Sequence, residues 1–204
     1  MNIIVCTSLD LEIPCAAINR INHLKKALDP LNINILTCGA SGLIKKNYQF
    51  KKDKIFFKKT NKFKFFPKAF KYNANAAIFY KKYLEKLIST LNIQGIIIYS
   101  MFSTLIEPIT AVARESKVFV INDGGEKYSV NFQNILNGIN YMQYRAIFYS
   151  FKKLDGLMVC SPRWQKYATS IGKPSILFPS FMPKQNSPNL KKLKKILILF
   201  LWDP

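Results

Sequence analysis

The stretch that decides the fold is Asn2–Cys38, NIIVCTSLDLEIPCAAINRINHLKKALDPLNINILTC. Its first residues, Asn2–Thr7, form a short β-branched run suited to a strand buried on both faces. A loop containing Pro14 follows. Ala17, Ile21, Leu24 and Leu28 then recur at i, i+4, i+7 and i+11, one apolar stripe of an amphipathic helix. Asp29-Pro30 ends that helix, and Ile33–Cys38 predicts a second strand closed by Gly39 and Gly42. Strand, helix and strand in so short a span make a βαβ unit, whose strands run parallel and whose crossover is right-handed.

The same alternation continues outward. Ala77, Tyr80, Leu84, Leu87 and Leu91 mark a helix, followed by a strand at Gly95–Ser100. Thr104-Leu-Ile-Glu107 has the spacing of a capping box, which predicts a helix to about Ser116 with Pro108 in its first turn. Lys117–Asn122 is the next strand, ending in Asp123-Gly124-Gly125-Glu126. A helix is expected over roughly Asn131–Lys153 on the stripe Phe132, Ile135, Leu136, Ile139 and Ala146, and a strand at Gly156–Cys160. Ser161-Pro162 opens a helix with serine as N-cap and proline at the first position, and Gly172 closes it. Lys173–Pro179 is the last strand of the series. The expected fold is α/β, a Rossmann-like three-layer sandwich on a mostly parallel sheet.

Two segments break the rhythm. Lys45–Lys71 alternates lysine with phenylalanine (Phe50, Phe56, Phe57, Phe63, Phe65, Phe66, Phe70) and predicts a long basic loop able to hold a hairpin. Pro183–Pro188 has linker composition, and Ile196–Leu201 beyond it reads as a strand. The expected organisation is a domain over 1–182 with an insertion at 45–71, a linker at 183–194, and 195–204 as the first strand of a second domain. That strand could equally dock on the first sheet.

Composition narrows the partners. The chain has 204 residues, 49% of them hydrophobic, with 31 Lys+Arg against 11 Asp+Glu and a formal charge of +20. It is therefore globular rather than disordered. The charge favours anionic partners: nucleic acid, acidic lipid or phosphorylated small molecules. Genome composition alone could also write such a lysine-rich surface. Cys6, Cys15, Cys38 and Cys160 form no CxxC pair, and with His23 as the one histidine they make no zinc set. Reduced thiols, no secretory signal and no apolar run near ~20 residues predict a cytoplasmic protein without a transmembrane helix.

Ligands of open parallel sheets bind beyond the carboxyl ends of the strands, so the candidate residues follow each strand. No GxGxxG is present. Cys15-Ala16-Ala17 offers small side chains that let an anion approach a helix N-terminus, or that merely allow close packing of helix on sheet. Asp123 and Glu126, split by two glycines, could orient a sugar hydroxyl or accept its proton; the competing reading is a turn entering an acidic helix N-terminus. Arg20 and Arg163 could grip a phosphate or be surface arginines. Ser100 and Ser161 stand at strand ends, and His23, beside the Leu24 stripe, is expected at the surface or its boundary. The Lys/Phe segment could stack single-stranded bases, or rest on an anionic membrane, though no known nucleic-acid motif accompanies it.

These strand-end residues carry a resemblance. The opening NIIVCTSLDLEIPCAAINRINHLKKAL, the segment VFVINDGGEKYS with its Asp-x-x-Glu turn, KKLDGLMVCSPRWQKYATSIGKPSILFPSF, and KKILILFLWDP together resemble family 4 glycosyltransferases of the GT-B fold, in their N-terminal domain. The resemblance is one of pattern and order. It implies an acceptor-binding half, with Asp123 and Glu126 facing the acceptor and the Cys15–Ala17 loop approaching the donor phosphates. It also implies a nucleotide-sugar as substrate, a polysaccharide or lipid-linked acceptor, no cofactor or metal, and little turnover without the donor-binding half. Peripheral contact with the inner face of the membrane through Lys45–Lys71 would suit such an acceptor, and nucleic acid would not be a partner. A basic module for nucleic acid or anionic membrane, without catalysis, is the rival reading.

Overall fold

A computed structural model describes residues 1–59, 68–100, 102–123 and 148–178, with 68–71 as backbone alone. The chain opens with β1 (Asn2–Asp10), α1 (Ala16–Leu28), a 3-10 turn over Asp29–Leu31 and β2 (Asn34–Ser41). Ile3 to Thr7 are all fully buried, Ile4 and Cys6 on one face of the sheet, Ile3 and Val5 on the other. The expected βαβ unit is present, and β1 pairs with β2 in parallel from Asn2↔Asn34 to Cys6↔Cys38.

The basic segment is partly sheet rather than loop. Tyr48–Lys51 (β3) and Lys54–Lys58 (β4) form an antiparallel hairpin, and β4 adds to β2 in parallel. Ile55, Phe56 and Phe57 are buried in succession because β4 is covered on both faces. Phe57 stacks on Phe79 with centroids 4.6 Å apart, while Phe56 joins the opposite core. Phe63, Phe65 and Phe66 lie outside the described residues.

The next elements are α2 (Lys68–Leu91), β5 (Ile93–Tyr99), α3 (Ser103–Glu115) and β6 (Phe119–Asp123). The capping box is not formed. Phe102 is the N-cap of α3, without a side-chain cap, and Pro108 lies inside the helix rather than in its first turn. Glu107 instead accepts from the Ser150 hydroxyl (2.6 Å) and pairs with Lys153. After a helical turn at 148–151 come β7 (Gly156–Val159), α4 (Pro162–Ser170) and β8 (Ser175–Leu177). Ser161 caps α4 by accepting from the Trp164 amide, and Gly172 leaves the helix at φ +68. Most of the helix expected at 131–153, the linker and the strand Ile196–Leu201 lie outside the described residues.

The eight strands run in the order β3-β4-β2-β1-β5-β6-β7-β8, parallel throughout except for β3. α1 covers one face; α2, α3, the 148–151 turn and α4 cover the other. From β1 the chain steps one way to β2 and β4, then returns to β5 and steps the other way. Crossovers of one hand then require helices on opposite faces, as found. The order reverses between β1 and β5, and this switch point opens at the carboxyl rim of the sheet. The fold is an α/β Rossmann-like sandwich.

Candidate functional site at the carboxyl rim

At the rim β1 parts from β2. Its register with β2 breaks between Cys6 and Asp10, although Thr7 still pairs with Tyr99 of β5. A parting of strands leaves ladder groups without partners, and Tyr80 of α2 supplies them. Its hydroxyl accepts from the Thr7 amide (2.9 Å) and lies 2.7 Å from the Cys38 carbonyl and 2.9 Å from that of Thr7. Burial raises the phenol well above its ordinary value, so Tyr80 is a neutral hydrogen-bonding bridge rather than an acid or base.

The freed end of β1 folds across β2. The Leu11 amide donates to the Ala40 carbonyl at 3.0 Å. A Cβ on Gly39 would stand 2.7 Å from the Leu11 side chain and 2.9 Å from the Leu9 carbonyl oxygen, so only glycine admits this crossing. The loop then reaches Cys15, the extended N-cap of α1, which makes no side-chain cap. Cys15 and Ala16 are exposed, Ala17 is half-buried, and the first turn carries no acid. Among the described residues no cap side chain and no first-turn acid offsets the amide dipoles of the helix start, a setting in which a phosphate or carboxylate is favoured.

Two acids at and beyond the end of the first strand also stand at this rim. Asp10, the last residue of β1, pairs with Lys59, and Glu12 accepts from the Ser41 hydroxyl. Their position there is the signal that marks them, since neither falls in a motif.

Arg20 and Asp123, placed separately by sequence, meet in the interior. Arg20 Nε and Nη2 each donate to one Asp123 carboxylate oxygen at 2.8 Å, and Nη2 also donates to the Phe178 carbonyl at 3.0 Å. The guanidinium lies 4.8 Å from the centroid of the Phe178 ring. Arg20 is 8% and Asp123 2% exposed, so Arg20 is not the surface residue that one reading expected. Burial raises the Asp123 carboxyl above its usual value against the pull of the guanidinium. Burial would also loosen the Arg20 proton, but Asp123 outweighs it and Arg20 stays cationic. The two-pronged geometry is that of an ionised pair, and it ties α1 to the ends of β6 and β8.

The remaining candidates divide. Ser100 accepts from the Phe102 amide (3.1 Å) and contacts Asn73 (3.4 Å), shaping the turn into α3. Beside it Asn122 donates to the carbonyls of Ile98 (3.0 Å) and Ser100 (2.7 Å); those two acceptors fix its amide, and its buried Oδ1 has no partner among the described residues. Ser161 serves α4 as its cap, and Arg163 is exposed in that helix's first turn. Glu126 lies outside the described residues. His23 is exposed, as expected. Among the described residues no cluster of His, Cys, Asp and Glu has the makings of a metal site, and no helix is long and apolar enough to cross a membrane.

No protein-family model and no curated protein matches this chain. Solved structures do, through their fold. A sucrose-phosphate synthase from Thermosynechococcus elongatus is similar at 10% identity and a TM-score of 0.59, covering 98% of this chain and 99% of its own. A UDP-GlcNAc 2-epimerase from Neisseria meningitidis, bound to UDP-GlcNAc, is similar at 11% identity and a TM-score of 0.56 over 100% of this chain and 55% of its own. A UGT transferase from Siraitia grosvenorii in complex with UDP gives 9% identity and a TM-score of 0.54 over 100% of this chain and 56% of its own. The chain thus spans about half the length of these last two, and what it shares with them is the Rossmann-like architecture of GT-B glycosyltransferases and UDP-GlcNAc 2-epimerases.

Proposed function

We propose that the chain is the acceptor-side half of a glycosyltransferase that uses a nucleotide-sugar as substrate and builds a polysaccharide or glycolipid. The observation that carries this is the exposed start of α1, uncapped by any side chain and built from small residues, at the switch point of a doubly wound sheet. The likeness in fold to structures holding UDP and UDP-GlcNAc supports it. Cys15, Ala16 and Ala17 approach the donor phosphates. The segment Asp123-Gly124-Gly125-Glu126 meets the acceptor: Asp123, engaged by Arg20, fixes the end of β6, and Glu126 supplies the carboxylate for a sugar hydroxyl. Ser100, Ser161 and Arg163 line the same rim. Transfer needs no metal or cofactor and requires a donor-binding half, so this chain alone binds without efficient turnover. A lipid-linked acceptor would place the protein in the cytoplasm against the inner face of the membrane.

The rival reading, nucleic-acid binding by the Lys/Phe segment, loses two of its stacking rings, since Phe56 and Phe57 belong to the core.

Titration with UDP, UDP-glucose and UDP-GlcNAc by calorimetry or saturation-transfer NMR tests the proposal. Ala16→Glu should weaken binding at least about tenfold, because a fixed carboxylate at the helix start repels the phosphates. The same carboxylate suits the helix dipole, so loss of binding would not reflect unfolding. Absence of binding to all three ligands, or binding unchanged by Ala16→Glu, would remove the phosphate-facing role given to Cys15–Ala17, the observation that carries the proposal.

A further inference from the structure

At the corner of the rim formed by β1, β2 and β4, two apolar side chains face solvent. Leu43 is 79% and Ile13 57% exposed. Ser41 links the two segments that carry them: its hydroxyl bonds Glu12, the residue before Ile13, and the same oxygen accepts from the Leu43 amide at 3.0 Å. Lys45 and Lys46 follow Leu43 in the chain and Lys58 pairs with Ser41 across β2 and β4; all three are exposed, and Lys58 Nζ reaches the Lys45 carbonyl at 3.5 Å, which holds the lysine-bearing loop against β4. Of the acids near this corner, Asp10 is paired with Lys59, while Glu12 is exposed and accepts from the Ser41 hydroxyl, one carboxylate against the three lysines. None of these three lysines has an ion pair among the described residues. The corner therefore carries exposed aliphatic side chains on segments that also bear three lysines without an ion pair among the described residues.

We infer that this corner docks on an anionic lipid bilayer, with Leu43 and Ile13 entering the interface and Lys45, Lys46 and Lys58 meeting lipid phosphates and carboxylates. Neither element suffices alone, since reversible attachment takes an apolar insertion together with a polybasic patch. A nucleic acid would use the lysines but has no place for two aliphatic tips, whereas a bilayer uses both. The net charge of +20 adds long-range attraction to such a surface. The inference stands on these residues and does not depend on nucleotide-sugar binding.

The test uses the whole chain with vesicles of phosphatidylcholine, alone or mixed with phosphatidylserine. Binding is expected to the mixed vesicles only, and to fall as salt rises. Lys45→Gln with Lys46→Gln should reduce partitioning by roughly an order of magnitude. Leu43→Ser with Ile13→Ser, which leaves the charge untouched and alters only exposed positions, should reduce it severalfold. Tryptophan emission from Leu43→Trp should shift to the blue on mixed vesicles and stay put in their absence. An unshifted Leu43→Trp, or a serine pair that binds as the parent does, would overturn the inference and leave only charge adsorption. So would a single-stranded oligonucleotide that binds more tightly than the vesicles and is indifferent to both the serine pair and Leu43→Trp.

Discussion

The two faces of the sheet hold the rim in different ways. On the α2 side the bridge is a neutral phenol, Tyr80, serving backbone groups of Thr7 and Cys38. On the α1 side it is an ion pair, Arg20 with Asp123, which also reaches the Phe178 carbonyl. The first repairs a break between adjacent strands; the second spans from a helix to strands at the far side of the switch point. A neutral bridge costs little when buried, but its loss strands several polar groups. A charged bridge is expensive to bury, and its value lies in what happens when one partner is removed.

Breaking the charged bridge should have the largest effect. Asp123→Ala leaves a buried guanidinium without its carboxylate counter-charge and should cost about 3–5 kcal/mol in urea unfolding. Arg20→Met combined with Asp123→Leu removes both charges and should recover most of that loss. If the double variant were no more stable than Asp123→Ala, the pair would be holding the rim by geometry that hydrophobic packing does not replace.

Breaking the neutral bridge comes next. Tyr80→Phe should cost about 1–3 kcal/mol, since buried backbone groups lose a partner that water does not replace. The same site makes an alkaline signature. Burial pushes the Cys38 thiol up to about 12 and raises Cys6 well above its usual value, as it does Tyr80. Groups raised by folding keep their protons longer than the unfolded chain does. Their stabilising share is complete below the unfolded thiol value, about 8.5, and is lost as pH climbs towards the folded values. Stability should fall above about pH 8.5 on this account. Cys38→Ala should flatten that limb, measured against its own stability at neutral pH. An equally steep limb in Cys38→Ala and Tyr80→Phe would assign the alkaline loss elsewhere.

The contrast also marks how far sequence carries. Alternating apolar stripes and runs were enough for the parallel sheet, because burial on two faces writes continuous Ile and Val while helices write a period of 3.6. The hairpin was harder: β4 shows only Ile55, Phe56 and Phe57 between lysines, and neither period is legible in three residues. Arg20 shares the helical face of Ala17, Ile21 and Leu24, so the spacing already placed a cation on the buried stripe. What the sequence did not contain was its partner's identity, 103 residues away. Glu107 had the spacing of a cap, yet Ser150 and Lys153 claim it through tertiary contact. Motifs of four residues are open to such competition; stripes over a whole helix are not.

That Glu107 contact supplies the smallest effect and a control on both bridges. Glu107 keeps 37% and Lys153 31% of their side chains in solvent, so the pair is screened and should contribute no more than ~1 kcal/mol. Burial works against the Glu107 charge, but Lys153 and Ser150 outweigh it and hold the carboxyl below its ordinary value. The sign is opposite to that at Cys38: the contribution is present above the unfolded glutamate value, about 4.3, and is lost as pH falls through the folded one. Glu107→Gln should therefore converge on the parent's stability in acid and differ slightly at neutral pH. Added salt should narrow that difference while leaving the Asp123→Ala loss nearly intact, because the Arg20 pair is shielded from ions by burial. Equal salt sensitivity of the two variants would mean that the Arg20–Asp123 bridge is open to solvent, and the contrast between the two faces would fail with it.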